Sequence, residues 1–136
     1  PNMSWSNTSL KELAQAQEAW VVEAEGDCLT ISNDEGIDAF VYVGHQQIVV
    51  ETALFPASEV TDTAALNDLI LRSHHLLPLT AICISKIGGQ DYYMAFGALS
   101  VDSKDSVVIE EIDTLFANTG EFLDAYNQYL TQETAA

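Results

Sequence analysis

Apolar residues recur along the chain with two different periods, and each change of period marks a boundary between a predicted helix and a predicted strand. Ser9 and Glu12 form a capping box, and the apolar residues that follow at helical spacing predict a short first helix that ends near Glu18. Residues 108–130 carry one long apolar stripe at the same spacing. This stripe predicts a final helix of about seven turns.

A middle helix is predicted after Thr61 or Asp62, either of which can cap it, and it ends at Pro78 because proline lacks the backbone amide that a helix needs. The other apolar segments alternate with polar residues or are rich in β-branched and aromatic side chains. They predict strands over residues 20–23, 27–32, 37–43, 47–54, 79–87 and 92–96. Glycines supply tight turns between neighbouring strands at Gly26, Gly44, Gly88 and Gly89.

The order of these elements is α-β-β-β(-β)-α-β-β-α, with three or four strands before the middle helix. Strands and helices do not alternate as they do in the βαβ units of a parallel sheet. The sequence therefore predicts an α+β fold in which helices flank an antiparallel sheet. We expect one domain over residues 1–136, a length close to the usual size of a single domain, with loose termini at residues 1–5 and 132–136.

The charge balance narrows the classes of partner. The chain has 21 acidic residues against 4 Lys and Arg, which gives a net charge of −17, while 48% of its residues are hydrophobic. Nucleic acids and anionic membrane surfaces are bound through basic patches, so we expect no nucleic acid and no direct membrane binding. A strongly negative surface instead attracts basic proteins or cations.

Leader and membrane segments are not recognisable in the sequence, since the longest apolar runs fall far short of the roughly 18 residues that span a bilayer. Cys28 and Cys83 lie in predicted strands without metal-ligand spacing. This placement favours buried free thiols over a disulfide or a zinc site. Together these observations predict a cytoplasmic protein.

His74 and His75 are the first candidates for catalysis or metal binding, because histidine is the usual base and ligand near neutral pH. Adjacent helical residues point about 100° apart, so the two rings cannot chelate one ion. A structural role near the end of the middle helix is therefore favoured. The alternative is a small hydrolase or metal-dependent enzyme that uses His74 or His75 with nearby acids.

Two groups of acidic residues, at 34–38 and 110–113, lack the ligand spacing of a calcium-binding loop. The glycines of the last hairpin do not form a phosphate loop, because neither a Lys-Ser or Lys-Thr pair nor a helix follows them. No serine lies in a nucleophile elbow. The sequence thus assigns no catalytic residue, no metal ligand and no cofactor.

Aromatic residues of the last strand and the last helix are the candidates for a protein-binding surface, since aromatic side chains are enriched at interfaces. They are Tyr92, Tyr93, Phe96, Phe122 and Tyr126. Adjacent strand residues point to opposite faces of a sheet. We therefore expect one of the two neighbouring tyrosines to be buried and the other to be exposed.

Two stretches are distinctive: Leu-Ile-Leu-Arg-Ser-His-His-Leu-Leu-Pro within residues 66–78, and Gly-Gln-Asp-Tyr-Tyr-Met-Ala-Phe-Gly-Ala-Leu-Ser at residues 89–100. With Glu-Gly-Asp at 25–27 and Val-Glu-Thr at 50–52, they resemble the uncharacterised bacterial YjfI-like family over nearly the whole chain. The resemblance implies no established activity and no catalytic residues. It also implies a link with phage-shock-like envelope-stress proteins, so a coiled-coil protein of that kind is a candidate partner.

The order of elements also resembles that of type III secretion chaperones, which are small acidic proteins that commonly form homodimers and bind extended partner segments. By that resemblance, an exposed sheet face or helix groove would receive an apolar peptide, with acidic residues around its rim. The function hypothesis is a non-enzymatic cytoplasmic protein-binding module, chaperone-like or regulatory in envelope stress. Its expected partner is a basic or coiled-coil protein, and it is expected to form a homodimer.

Overall fold

The computed structural model describes residues 4–77 and 79–131. Its helices are α1 (Asn7–Gln15), α2 (Thr63–Ser73) and α3 (Asp105–Tyr126). Its strands are β1 (Val21–Glu25), β2 (Cys28–Ser32), β3 (Asp38–Val43), β4 (Gln47–Pro56), β5 (Ala81–Ile87) and β6 (Gln90–Ser100). This order confirms the predicted α+β class and places four strands before α2.

The strands form one antiparallel sheet in the order β1-β2-β3-β4-β6-β5. The first four strands pair in sequence order, and the β5–β6 hairpin joins β4 through β6, with α2 in the connection. Gly26, Gly88 and Gly89 adopt positive φ angles in the first and last hairpin turns, which glycine allows because it has no Cβ. The edge strands of the sheet are β1 and β5.

The helices cover the sheet on one face only. In the described chain, all three pack on the same face, where the strands contribute buried side chains at every second position. The strand residues of this core include Leu29, Ile31, Ala39, Val41, Ile48, Val50, Tyr93 and Ala95. We call the opposite side of the sheet the open face; near its centre lie Phe40, Tyr42, Glu51, Met94 and Phe96.

Helix α3 supplies much of the helical side of the core. Its residues Val108, Ile112 and Leu115 are almost completely buried, and the helix contacts the central strands β4 and β6. Phe116 meets Trp20 edge-on, with 6.1 Å between the ring centroids. Burial of one large apolar side chain contributes about 1.5–3 kcal/mol, so the stripe predicted from the sequence is a major source of stability on the helical side of the core.

The first helix begins two residues earlier than its predicted cap. Ser6 is the N-cap, and its hydroxyl accepts the Ser9 backbone N–H at 3.2 Å while the Ser9 hydroxyl accepts the Ser6 backbone N–H at 2.9 Å. The predicted box of Ser9 with Glu12 is therefore wrong, because a serine supplies the reciprocal bond that the motif usually takes from Glu or Gln. The helix ends at Gln15, before the predicted end near Glu18.

The structure shows which of the two predicted residues, Thr61 or Asp62, caps α2. Asp62 is the N-cap, and its carboxylate accepts the Ala65 backbone N–H at 3.1 Å. The helix ends at Ser73 and continues as a short 3-10 turn, so the end predicted at Pro78 is several residues too late. Pro78 itself lies outside the described residues.

Helix α3 ends at Tyr126 after 22 residues, about six turns, and thus stops before the predicted end at residue 130. The chain then turns, and Leu130 pairs with Val60 in an isolated antiparallel bridge. Beside this bridge, the Thr61 backbone N–H donates to the Tyr129 carbonyl at 2.9 Å. Helical spacing of apolar residues could not distinguish this bridge from another turn of helix.

The N-terminal segment is attached to the connection between β6 and α3. The Trp5 indole N–H donates to the Ser103 carbonyl at 2.7 Å, and the Ser4 hydroxyl donates to the Asp102 carboxylate at 2.7 Å. These two residues belong to the stretch that composition predicted to be loose. The remainder of the predicted loose termini, residues 1–3 and 132–136, lies outside the described residues.

Gly97 on β6 makes room for the buried carboxyl group of Glu111 on α3. A Cβ atom at position 97 would collide with the Glu111 carboxylate and would lie 3.0 Å from the Leu79 carbonyl oxygen. Burial is the main cause that raises the pKa of Glu111, and the charge of Glu110 adds to it. The absence of a side chain at Gly97 therefore sets how closely α3 approaches the sheet.

We predict opposite effects for alanine at two glycines. Gly97→Ala should lower the free energy of unfolding by about 1–3 kcal/mol, because the new methyl group must displace Glu111 and the main chain at Leu79. Gly120→Ala in α3 meets no atom within 4 Å and should raise it by about 0.5–1 kcal/mol. Urea unfolding followed by circular dichroism measures both values, and equal effects of the two changes would contradict the packing described above.

Candidate functional site

The structure divides the five aromatic residues of the predicted binding surface between the two sides of the sheet. Tyr92 and Phe96 lie on the open face and are partly exposed. Tyr93, Phe122 and Tyr126 are between 1% and 3% exposed and belong to the core under the helices. The five side chains therefore do not form one surface, and only the first two can contact a partner without rearrangement of the core.

The three buried aromatic residues have structural contacts. The Tyr93 hydroxyl donates to the Asn67 Oδ1 atom at 2.6 Å, and its ring lies 5.2 Å from that of Phe55. Phe122 and Tyr126 stack with 5.7 Å between their ring centroids. Burial raises the pKa of Tyr93 and of Tyr126 above the usual value, as expected for hydroxyl groups removed from water.

One row of side chains crosses the open face at right angles to the strands. In the register of the sheet, Thr30 pairs with Phe40, Phe40 pairs with Glu51, and Glu51 pairs with Phe96. Glu23 on the edge strand pairs with Thr30 and ends the row on that side. Since neighbouring strands lie about 4.8 Å apart, each of the two phenylalanines is one strand spacing from Glu51.

Glu51 is a half-buried carboxyl group among apolar and aromatic side chains. It lines a depression of about 330 Å³ together with Phe40, Tyr42 and Met94, and Lys86, which pairs with Asp91, lies at the rim of the same depression. Burial raises the pKa of Glu51 above its usual value of 4.5. The ion pairs of the described chain lie elsewhere, so the carboxylate has no cationic partner within residues 4–77 and 79–131.

Acidic residues outnumber basic ones on the open face, where Lys86 at the rim of the depression is paired with Asp91. In the register of the sheet, the strand positions of this face hold no Lys or Arg in the described chain, and the acidic residues at these positions are Glu23, Glu25, Asp38 and Glu51. Apolar and aromatic residues fill the centre between these acids, and Met94 is only 3% exposed despite lying on the side without helices. This face therefore presents an apolar floor with carboxylates in and around it.

A second surface lies between α2 and the edge strand β5. It contains an apolar groove of about 300 Å³ lined by Ile70, Leu71, Ile82 and Ile84, among others. Leu71 is 80% exposed and Ile84 is 49% exposed, which is unusual for large apolar side chains that lie next to each other. We call this region the α2–β5 patch.

The α2–β5 patch is locally neutral, in contrast to the rest of the protein. Arg72 pairs with Asp68 at 2.8 Å, and Lys86 pairs with Asp91 at 3.2 Å. Two of the 4 Lys and Arg residues of the chain therefore lie beside this patch, each with one acid. Exposed pairs of this kind contribute little to stability, but they cancel the local negative charge.

The two adjacent histidines occupy different environments. The Ile82 backbone N–H donates to the His74 Nε2 atom at 2.8 Å, so the lone pair of that nitrogen is already used by the main chain of the edge strand. His75 is exposed. In the described residues, no group of three or more His, Cys, Asp or Glu side chains is placed to hold a metal ion.

The two acidic groups singled out in the sequence also have local structural explanations. The Asn33 side chain accepts the backbone N–H of Glu35 at 3.1 Å and that of Ile37 at 2.8 Å, which fixes the turn before β3. In α3, Glu111 points into the core whereas Asp113 is exposed. The second group is thus divided between the core and the surface.

Sequence reasoning missed Glu51 and the α2–β5 patch. A glutamate in the middle of the apolar run Ile48–Leu54 was a signal that could have been used, because charged residues are depleted in central strands. The patch had no such signal, since the exposure of Leu71 depends on the rotation of α2 about its axis. Both features became visible only when the faces of the elements were known.

The family of the chain follows from its sequence. A sequence model for the family described as "Uncharacterized protein conserved in bacteria (DUF2170)" matches residues 4–130. The chain belongs to this family. The uncharacterized protein YjfI of Escherichia coli strain K12 is 27% identical over 131 residues, which cover 93% of this chain and 98% of YjfI. The predicted resemblance to the YjfI-like family is thereby confirmed.

Solved structures with the same fold are more distant in sequence. YbjN from Escherichia coli superposes with a TM-score of 0.72 at 11% identity, covering 98% of this chain and 100% of YbjN. A chain of the HopA1–SchA chaperone–effector complex gives a TM-score of 0.64 at 12% identity, covering 86% of this chain and 91% of that one. The predicted chaperone-like order of elements is therefore confirmed at the level of the fold.

Membrane insertion through a helix finds no support in the described part of the chain. None of the helices within residues 4–77 and 79–131 is long and apolar enough to cross a bilayer.

We predict that Glu51 makes the protein less stable as the pH rises. Because the folded-state pKa of Glu51 is raised, the folded protein keeps this proton where the unfolded chain has released it. Stability is therefore highest below the unfolded pKa of about 4.5 and falls as the pH rises through the raised pKa. Glu51→Gln removes this titration, so its stability relative to wild type should increase between about pH 4 and pH 7.

The matched control for this measurement is Glu23→Gln. It makes the same change of charge in the same row of the open face, but at an exposed position of the edge strand. Thermal unfolding of the three proteins over this pH range separates the local effect from the general effect of net charge. The prediction would be contradicted if the gain in stability relative to wild type between about pH 4 and pH 7 were no larger for Glu51→Gln than for Glu23→Gln.

Proposed function

We propose that the protein is a non-enzymatic binding module that holds a segment of a basic protein partner on its open face. The observation that carries this proposal is the one-sided sheet: an apolar floor around Phe40, Tyr42, Met94 and Phe96 has no helix over it in the described chain. Uncovered apolar surface of this kind is typical of interaction sites.

The surroundings of the floor support a basic partner. All charged strand residues of the open face are acidic, and the whole chain carries a net charge of −17. Such a surface attracts positive segments and repels negative ones over distances of about 10 Å at ordinary ionic strength. The family resemblance suggests a coiled-coil protein of the envelope-stress response as a partner, and a basic segment on such a protein would satisfy this requirement. The module would then be regulatory.

The comparisons and the cysteines support the biological setting of the proposal. A fold shared with a chain of a chaperone–effector complex is compatible with a chaperone-like role. Cys28 and Cys83 are free thiols on the open face, as is usual in a reducing compartment, and this supports action in the cytoplasm.

We predict that a photo-crosslinking side chain at position 42 captures the partner. Tyr42 is 43% exposed on the open face, and p-benzoylphenylalanine has a similar shape at that position. Irradiation of cells that produce this variant should give one major protein adduct, identified by mass spectrometry. Its yield should fall when lysate is irradiated at high salt, because screening weakens attraction to the acidic face.

The same group at Val107 is the matched control, because Val107 is 40% exposed but lies on α3. The adduct formed at position 42 should be absent at position 107. Adducts of equal yield at both positions, or at neither, would overturn the assignment of the open face.

We further propose that two copies of the chain associate through the α2–β5 patch. Two molecules with a net charge of −17 repel each other, and the repulsion is weakest where acids are already paired with cations. The patch combines this neutrality with exposed apolar side chains at Leu71 and Ile84 and with an unpaired edge strand. Burial of the two patches against each other would remove both the apolar surface and the free edge from water.

We predict that charge introduced into the patch dissociates the dimer. Leu71→Asp and Ile84→Asp should each shift the molar mass measured by light scattering after size-exclusion chromatography from dimer towards monomer. Val21→Asp is the control, because Val21 is 64% exposed on the other edge strand. A wild-type protein that stays monomeric at every concentration tested would contradict self-association, while leaving the open face as a binding site.

A further inference from the structure

Glu51 is the least expected side chain of the open face. It occupies an interior strand, and both in-register neighbours are phenylalanines, Phe40 on one side and Phe96 on the other. The carboxylate is half-buried and has no cationic partner in the described chain. Removing a carboxylate from water without a partner costs free energy, so Glu51 does not stabilise the isolated protein.

The other acids of this face lack such an environment. Glu23 and Glu25 lie on the exposed edge strand, and Asp38 accepts a hydrogen bond from the Ser32 hydroxyl. Each of these three carboxylates remains exposed to water. Glu51 alone among the four is half-buried and has phenylalanines as both in-register neighbours, which is an arrangement suited to a cation.

We infer that Glu51, flanked by Phe40 and Phe96, is the recognition site for a single Arg or Lys side chain presented by the protein partner. This inference rests on the proposed binding function of the open face and names the chemistry that the face selects. The carboxylate forms a charge-assisted hydrogen bond with the incoming cation, and the two rings lie close enough for cation–π contact with it. Apolar residues of the partner beside the cation cover the exposed ring of Tyr42.

An arginine suits this site better than a lysine. The guanidinium group is planar, so it can bond to the carboxylate and stack on an aromatic ring at the same time. It is also less strongly hydrated than an ammonium group, and therefore loses less on entering a partly apolar depression. A metal ion does not suit it, because hard cations require several oxygen ligands and Glu51 is a single carboxylate here.

The test uses a short synthetic peptide, Thr-Leu-Thr-Arg-Thr-Leu-Thr, and a counterpart with citrulline in place of arginine. Citrulline keeps the shape and most hydrogen-bonding groups of arginine but has no charge. Nitrogen-15 NMR titrations of the full chain measure both affinities and show which residues respond. The arginine peptide should bind about tenfold or more tightly than the citrulline peptide, with the largest shifts around Glu51.

Two variants assign this preference to one residue. Glu51→Gln should weaken binding of the arginine peptide by about tenfold and remove the difference between the two peptides. Glu23→Gln, which makes the same charge change at the exposed end of the same row, should retain the difference. The spectrum of each variant shows directly whether it is folded.

The outcomes separate this inference from the function on which it rests. In one outcome, the arginine and citrulline peptides cause equal chemical-shift changes on the open face, in the wild type and in Glu51→Gln alike. This result would overturn the role of Glu51 and leave the binding function standing. A loss of preference in both Glu51→Gln and Glu23→Gln would show general attraction to an acidic face and would also overturn it. Absence of any shift on the open face, even at the highest peptide concentration, would overturn both.

Discussion

The structure depends on one geometric constraint, the match between three helices and one face of a six-stranded sheet. Five strand spacings of about 4.8 Å make a sheet roughly 24 Å wide, and three helices of about 10 Å diameter side by side cover that width once. The apolar faces of α1, α2 and α3 are thereby used on a single side of the sheet. The other side must be stable in contact with water or with another molecule.

Antiparallel sheets that face water on one side usually place polar residues there. Here Glu23, Thr30 and Ser85 on the open face follow that rule, but the exposed Val21 and Ile87 at its edges and the apolar centre do not. The apolar centre of the open face is expected to lower solubility. The large negative charge of the molecule opposes this effect because it keeps copies apart. The negative charge of the chain thus compensates for the sheet face that the helices leave uncovered.

The sequence was informative where a local rule decides the outcome. Alternation, glycine turns and the stripe of α3 predicted the class, the order of elements and most hairpins, because each depends on residues close in the chain. The aromatic candidates were harder to place. Tyr92 and Tyr93 are adjacent and identical in sequence, and the pleat of a strand shows only that they point to opposite faces of the sheet. Which of them faces the helices depends on the side that α3 covers, a property of the tertiary structure.

The candidate site shows the same limit. Glu51 is adjacent in space to Phe40 and Phe96, which lie 11 and 45 positions away in the chain, and the register that joins them is set by the pairing of three strands. A single sequence does not specify that register well enough to place one carboxylate between two rings. The pairing of α2 with β5 into an apolar patch required the tertiary structure for the same reason.

The bridge between Val60 and Leu130 joins two segments that are distant in sequence. Thr61 and Thr131 donate their backbone N–H groups across it, to the carbonyls of Tyr129 and Glu59. The segment after α3 is thus hydrogen-bonded to the segment that leads into α2. In hydrogen exchange, amides on the two sides of this bridge should become unprotected together, as one cooperative unit, although about 70 residues separate them.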